Sequence, residues 1–295
     1  MASGKVGRFF LKPRNIAVLT GSILTIKLLP DFFPKHTTRP FIEAYQNGKI
    51  CNLQDSQLEE FKEVCRALGV VKADKYHTFV TGRWQIGASG SPWLPNGVHF
   101  AIPIHFVDNP ETSSLNLKGK SGAMKEGKLF KESFKLSKSA RQFALAVETA
   151  RIESGLPILK ACLLPLYFLM GYATSFAILP TLNFLPLPVA ILAIGSVYFM
   201  CYRFSIGRIN ESIDFSMDKK VANLSPEYAN GGLEYVEKIL QRNIALRGLL
   251  ENGKKRFSYY GNENEGVFYS AHARLTERKD AIKTIVDDNT KCPIE

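Results

Sequence analysis

Apolar residues run from position 161 to 202 without one Asp, Glu, Lys, Arg or His. A helix crosses the roughly 30 Å hydrocarbon core in about 20 residues, so this run is long enough to cross twice. Pro180, Asn183, Pro186 and Pro188 lie near its middle. Proline lacks an amide proton and clashes with the preceding helical turn, so one helix is predicted to stop near Leu179 and the next to start near Leu187. The pattern predicts an antiparallel transmembrane hairpin, residues 156–206, with crossings at about 161–180 and 184–203. Lys160 and Arg203 bracket it, their stems able to lie in the apolar zone while the charges reach the headgroups. Tyr167, Tyr172, Tyr198 and Tyr202 are candidate interfacial anchors. Pro165 frees a carbonyl inside the first crossing, and Thr174, Ser175 and Ser196 are candidate donors to it. Lipid tails are as apolar as leucine, so helix pairing needs small or hydroxyl residues. Gly171, Ala173, Ser175, Gly195 and Ser196 are therefore the expected membrane-helix contacts.

Before the hairpin the period changes repeatedly. Residues 16–29 form a short apolar run interrupted by Lys27; as a helix it covers about 21 Å, short of the bilayer core. Two readings of residues 1–30 stand: a mitochondrial address, retained or cleaved, or a short span or interfacial helix. Ser56 and Glu59 have the spacing of a capping box, and Leu58, Phe61, Val64, Cys65 and Leu68 share one helical face up to Gly69. Alternation over 77–84 and 98–107 predicts strands of a small sheet, with Pro103 confining the second to an edge or bulge. A glycine- and lysine-rich loop at 118–128 leads to a helix opened by Ser137 and running to about Glu153, whose apolar positions are imperfectly periodic. It bends or continues into the first crossing near Gly155 and Pro157. After the hairpin, 208–217 extends the second crossing, Ser225-Pro226 opens a long helix to about Leu250 with a stripe of Leu233, Val236, Ile239, Leu240 and Ile244, and 276–286 forms a last short helix. The fold class is an α+β membrane protein: a mixed α/β soluble segment at 31–155, the two-helix transmembrane hairpin, and a helical segment at 207–295.

Charge adds direction. The net charge is +11, with Lys5, Arg8, Lys12, Arg14 and Lys27 in an N-terminal stretch free of acids and a second basic block at 118–141. With a membrane hairpin present, anionic lipid or an acidic partner fits this charge better than nucleic acid. The cysteines Cys51, Cys65, Cys162, Cys201 and Cys292 form no CxxC pair, which favours a reducing compartment over a disulfide framework. His99 and His105 fall on one strand face, but no Cys, Asp or Glu stands at ligand spacing beside them; ordinary histidines are expected there, and no cofactor. Cys162, Met170, Met200 and Cys201 are soft donors, read as core packing rather than a copper site. No GxSxG, GxxxxGK[ST] or HExxH is present, and the acid pairs Glu59–Glu60 and Glu234–Glu237 are read as solvated charge. These readings point to binding rather than catalysis.

Two segments carry more than pattern. The run from Arg141 through Phe143, Ala144, Leu145 and Glu148 to Glu153-Ser154, and the run from Ala222 through Tyr228, Gly231, Gly232 and Glu234 to Asn243, Leu246 and Arg247, resemble the transmembrane protein 177 family, as do the Leu94-Pro95-Asn96-Gly97 and Ala101-Ile102-Pro103 stretches. The resemblance implies a non-catalytic accessory factor of the mitochondrial inner membrane. It would bind and stabilise newly made cytochrome c oxidase subunit II together with the factor that inserts it. Rivals from other classes are a lipid-binding or membrane-shaping hairpin and a membrane enzyme with its site between the soluble segments. Basic residues flank the hairpin and its turn carries none, so both soluble segments are expected to face the matrix. Gly231-Gly232 has two readings: a helix interior against which another backbone packs closely, or a break before a helix starting near Leu233.

Overall fold

The computed structural model describes residues 12–46, 48–106, 123–182, 184–264 and 271–291. The architecture is mixed α and β, mainly helical. Helix α1 is Pro13–Phe32, α2 Asp55–Ala67, α3 Ala123–Glu132 and α4 Lys138–Glu153. Then follow α5, Leu156–Ile178, α6, Leu187–Ala222, α7, Pro226–Leu249, and α8, Leu275–Lys291. Strands β1 (Tyr76–Thr81), β2 (Gly87–Gly90) and β3 (Val98–Pro103) form a sheet in the order β1-β3-β2, with β1 parallel and β2 antiparallel to β3. Residue 107, most of the 118–128 loop, Asn183 in the turn, Cys292 and the basic residues Lys5 and Arg8 lie outside the described residues.

Three helices, α1, α5 and α6, are long and apolar enough to cross a membrane. The two helices of the expected hairpin are present, and of the alternatives left open for residues 1–30 the structure shows a third helix of spanning length. Helices α5 and α6 do pack on each other, and α1 packs along α5 as a third member. The sequence pattern gives only a short run, 16–29, interrupted by Lys27; in the fold the helix starts earlier, at Pro13, and within it Thr25 returns its hydroxyl to the Gly21 carbonyl at 2.9 Å, so the polar group needs no water. With 20 residues α1 reaches about 30 Å. Helix α6, at 36 residues, is about 54 Å long, nearly twice a crossing. Its lower half does not end at the charged residues after Arg203 because Ile206, Ile213, Met217 and Val221 form a buried stripe at helical spacing.

The soluble body is built around α4. Ten of its sixteen residues are buried, from Ala140 to Ile152, and this all-round burial is why its apolar positions lack a clean period. Phe61, Val64 and Cys65 of α2, Val98, Phe100 and Ile102 of β3, Ile213 and Met217 of α6, Val236 and Leu240 of α7 and Ile282 of α8 complete one core with it. Helix α4 stops at Gly155, whose φ of 67° breaks the path into α5.

Several local expectations are corrected. Helix α2 starts two residues early: Gln54 is the cap, and Gln57, not Glu59, reaches back to its amide at 3.1 Å, because Gln57 is buried. Strand β3 is central rather than at an edge, since Pro103 is its last residue and forfeits no ladder bond inside it. His99 faces away from the core beside His77, while His105 sits in a 3-10 turn, Ile104–Phe106, so the two share no face. Cys162, Cys201, Met170 and Met200 are exposed on the membrane helices rather than packed in a core. Glu60 and Glu234 tie helices together instead of sitting in solvent: Glu60 lies 3.3 Å from Arg141, and Glu234 accepts from the Ser137 amide and hydroxyl at 2.9 and 2.5 Å.

Gly231 and Gly232 lie inside the unbroken α7. A Cβ on Gly231 would stand 2.4 Å from the Ser139 carbonyl oxygen, and one on Gly232 2.6 Å from the Phe143 ring. Of the two readings, close backbone approach is therefore the one adopted, and it seats α7 on the first turn of α4.

Candidate binding site at the membrane exit

Two features lie along α6, one among the membrane helices and one where they meet the soluble body. The first is a cleft of about 260 Å³ among the membrane helices, bordered by Ile16 of α1, Leu164, Tyr167, Phe168, Gly171 and Ser175 of α5, and Ile194, Gly195 and Tyr198 of α6. Tyr167, Tyr172, Tyr198 and Tyr202 all border this cleft. Tyr167 bonds Ser205 and Tyr198 bonds Thr174, each at 2.6 Å, which satisfies hydroxyls that hydrocarbon would leave unpaired. Gly171 and Ser175 are buried, and a Cβ on Gly171 would meet the Tyr198 ring at 3.3 Å. Ser175 and Thr174 return their hydroxyls to the Gly171 and Met170 carbonyls at 2.8 Å, so neither serves the carbonyl freed by Pro165. Gly195 borders the cleft with nothing within 4 Å of its missing side chain, and Ser196 is exposed. Gly171 and Ser175 thus lie at helix contacts, while Gly195 and Ser196 present an open face.

Below it, where α6 leaves the apolar zone, lies a polar cavity of about 790 Å³ walled by α4, α6, α7, the 258–264 segment and the start of α8. Phe204, Gly207 and Arg208 form its membrane side. Behind its lining residues Arg151, His272 and Arg278 runs a chain of charges. Asp214 accepts from Arg151 at 2.7 Å and from the Ala273 amide at 2.9 Å, with His272 Nδ1 at 3.1 Å. Arg151 also holds Glu148 at 2.6 Å. One turn along α6, Asp218 receives both Nε and Nη2 of Arg278 at 2.6 and 2.8 Å, a bidentate pair with side chains 2% and 9% exposed. Burial pushes the Glu148 carboxyl up against the pull of Arg151. Burial works to lower the Arg278 pKa, but Asp218 outweighs it and the net shift is upward. The acids Glu148 and Glu211 each face an arginine, Arg151 and Arg208. A cavity lined by such matched charges offers hydrogen-bonding and ionic contacts for a polar chain segment.

The residues of the two sequence runs mostly build the body. Phe143, Ala144 and Leu145 are core residues of α4, and Glu148 and Ala144 also line the polar cavity. Tyr228, half-buried, packs against the core beside the Gly231-Gly232 contact. Asn243, buried, donates to the Gly261 carbonyl at 2.8 Å, and Gly261, at φ 87°, has no room for a side chain against the Leu240 carbonyl. Leu246 fills a smaller cluster with Phe130 and Phe257, and the Arg247 carbonyl lies against Gly253. Asp214, Asp218, His272 and Arg278 carry no signal in local pattern, since each pair joins residues about sixty positions apart.

Compared with known proteins, the chain is similar along nearly its whole length to transmembrane protein 177 of Danio rerio, with 28% identity over 307 aligned positions covering 96% of both chains. It is likewise similar to transmembrane protein 177 of Homo sapiens, 27% identical over 288 positions, covering 92% of this chain and 93% of that one. For the Xenopus laevis protein the identity is 27% over 291 positions, 91% of each chain. No protein-family model and no solved structure matches the chain.

Proposed function

We propose that this chain, which belongs to the transmembrane protein 177 family, is a non-catalytic accessory factor of the mitochondrial inner membrane that holds newly made cytochrome c oxidase subunit II and its insertion factor during oxidase assembly. The observation that carries the reading is the open face at Gly195 beside the membrane cleft, continuous in sequence along α6 with the polar cavity. A partner's membrane helix can approach closely at a glycine, while its polar flank meets matched charges below. Helix α6 is one uninterrupted rod through both, so the two contacts are fixed in relation to each other. Anchoring in the same bilayer raises the local concentration of the two proteins without any bond being made or broken.

The soluble body is assigned to the matrix. Lys35, Arg39, Arg151, Lys160, Arg203 and Arg208 stand on its side of the spans, and the α5–α6 turn carries no charge. With three crossings, the start of α1 then lies on the intermembrane side, a position for Lys12 and Arg14 that the two-span reading did not require.

The test is affinity capture from gently solubilised mitochondria after pulse-labelling of mitochondrial translation products. Labelled subunit II is expected in the captured fraction, and Gly195→Leu, which fills the open face, is expected to reduce it severalfold at unchanged protein level. Normal synthesis, persistence and assembly of subunit II in cells lacking the protein, with the insertion factor limiting, would end this reading and leave lipid binding as its successor.

A further inference from the structure

We propose that the loops 70–75 and 91–97 form a ledge that lies in the headgroup layer of the leaflet on the soluble body's side, with Trp93 and Val71 as its apolar contacts. The inference rests on the crossing of α1 and α5 set out above. Three hydrogen bonds place one end of the sheet at the mouths of those spans. Asp31, one residue before the end of α1, accepts from the Gly90 amide at 3.2 Å, and Asn96 Nδ2 donates to the Phe32 carbonyl at 2.6 Å. At the approach to α5, Glu153 accepts from the Tyr76 hydroxyl at 2.6 Å. The starts of β1 and β3 are thereby held at the level where the chain enters and leaves the bilayer, and the two loops precede those starts.

The loops are also fixed to each other. A Cβ on Gly97 would fall 2.3 Å from the Lys75 carbonyl oxygen, so only glycine lets them touch. Lys72 Nζ stands 4.4 Å from the centre of the Trp93 ring. Despite this packing, Trp93 is 71% exposed and Val71 92% exposed. A large indole held rigidly in water at the end of a span is unfavourable, whereas in the headgroup layer its ring is buried and its N–H finds ester or water acceptors. Lys72 and Lys75, against Asp74, place net positive charge where lipid phosphates stand. The occupant is the bilayer that α1 already crosses. Trp84, by contrast, follows the far end of β1, about six residues and so about 20 Å away.

The chain has two tryptophans, which makes the test direct. Trp84→Phe leaves Trp93 as the sole emitter and Trp93→Phe leaves Trp84. Each full-length variant is reconstituted into vesicles of phosphatidylcholine and phosphatidylglycerol carrying a nitroxide either near the headgroup or deep in the acyl chain. Trp93 is expected to emit at shorter wavelength than in water and to lose most of its emission to the shallow label and less to the deep one, while Trp84 keeps most of its emission with both. Unquenched, water-like Trp93 emission, or equal quenching of the two tryptophans, would overturn the ledge. Alkaline extraction separates this from failure of the spans: protein that stays with the vesicles while Trp93 is unquenched refutes the ledge alone.

Discussion

The seat of α7 on α4 makes Gly231→Ala the sharpest probe of the soluble body. In an ordinary helix interior the substitution stabilises by about 1 kcal/mol, because alanine restricts the unfolded chain and glycine does not. Here the new methyl would stand 2.4 Å from the Ser139 carbonyl oxygen, 2.5 Å from its carbon and 2.9 Å from the Ala140 nitrogen. All three are backbone atoms of the first turn of α4, which Ser137 caps and Glu234 ties to α7, so none can rotate aside. The helices must separate, loosening Phe143 and Val236, and overpacking of this kind costs about 3 kcal/mol at its upper end. The net loss is about 2 kcal/mol, or a melting temperature roughly 4–8 °C lower for a body of this size. Thermal unfolding in mild detergent, followed by tryptophan fluorescence, measures it. Gly248→Ala is the internal control, since its methyl meets only the Glu126 side chain, at 2.9 Å, which can swing away; the helix-propensity gain should then prevail. A Gly231→Ala protein that melts at or above the parent temperature would show that α7 is not seated as described.

Three further outcomes are expected. Asp218→Ala leaves Arg278 buried without its partner and should lower unfolding stability by about 3–5 kcal/mol, whereas Asp218→Leu with Arg278→Met should recover much of it; equal losses in the single and double variants would show that the pair is not buried as a unit. Burial, aided by neighbouring cations, holds His99 and His105 neutral with pKa values of about 4 and about 3, while the unfolded chain takes up these protons near pH 6.5. Stability from these groups is therefore full above pH 6.5 and falls as pH drops toward 4, by up to about 1.4 kcal/mol per unit for each histidine; an unchanged slope in His99→Gln would count against that residue's share. Protease added to mitochondria with ruptured outer membranes should leave the segment between Lys219 and Lys255 uncut, and efficient cleavage there would reverse the orientation.

Several helix ends were legible because they are written in single residues: Ser137 and Ser225 as caps, the bend near Gly155, and the proline cluster between α5 and α6; the start of α2 was not, since Gln54 and Gln57 cap it in place of Ser56 and Glu59. The third apolar helix was half legible. Lys27 reads as an interruption in water, but a lysine stem can lie along lipid, and a helix supplies its own acceptor to Thr25. The extension of α6 through 208–217 was legible, but the burial of its acids was not: Asp214 and Asp218 are nearly the most buried residues there. Nothing within ten residues of either predicts this, since Arg151, His272 and Arg278 arrive from far along the chain.

That burial bears on how a membrane protein of this kind joins its two halves. Removing a carboxylate from water costs several kcal/mol, and such a pair is often no more stabilising than well-packed apolar residues of the same volume. Apolar residues along Asn210, Asp214 and Asp218 would also extend the hydrophobic run of α6 by several turns, to a stretch much longer than the bilayer core. A continuous apolar rod of that length can slide or tilt to bury more of itself, because mismatch costs only fractions of a kcal/mol per Å. Charges satisfied by Arg151, His272, Arg278 and the Ala273 amide of the soluble body cannot enter hydrocarbon without losing those partners. The ion network is therefore expected to set the depth of α6 in the membrane. Replacing Asp214 and Asp218 by leucine and Arg278 by methionine, with Arg151 kept as the partner of Glu148, should leave a folded body whose α6 sits deeper. Cysteine accessibility in a ladder from 203 to 212 reads that depth: protection extending by a turn or more toward 212 is the expected result, and an unchanged boundary would show that Arg203 and Arg208 alone hold the helix in place.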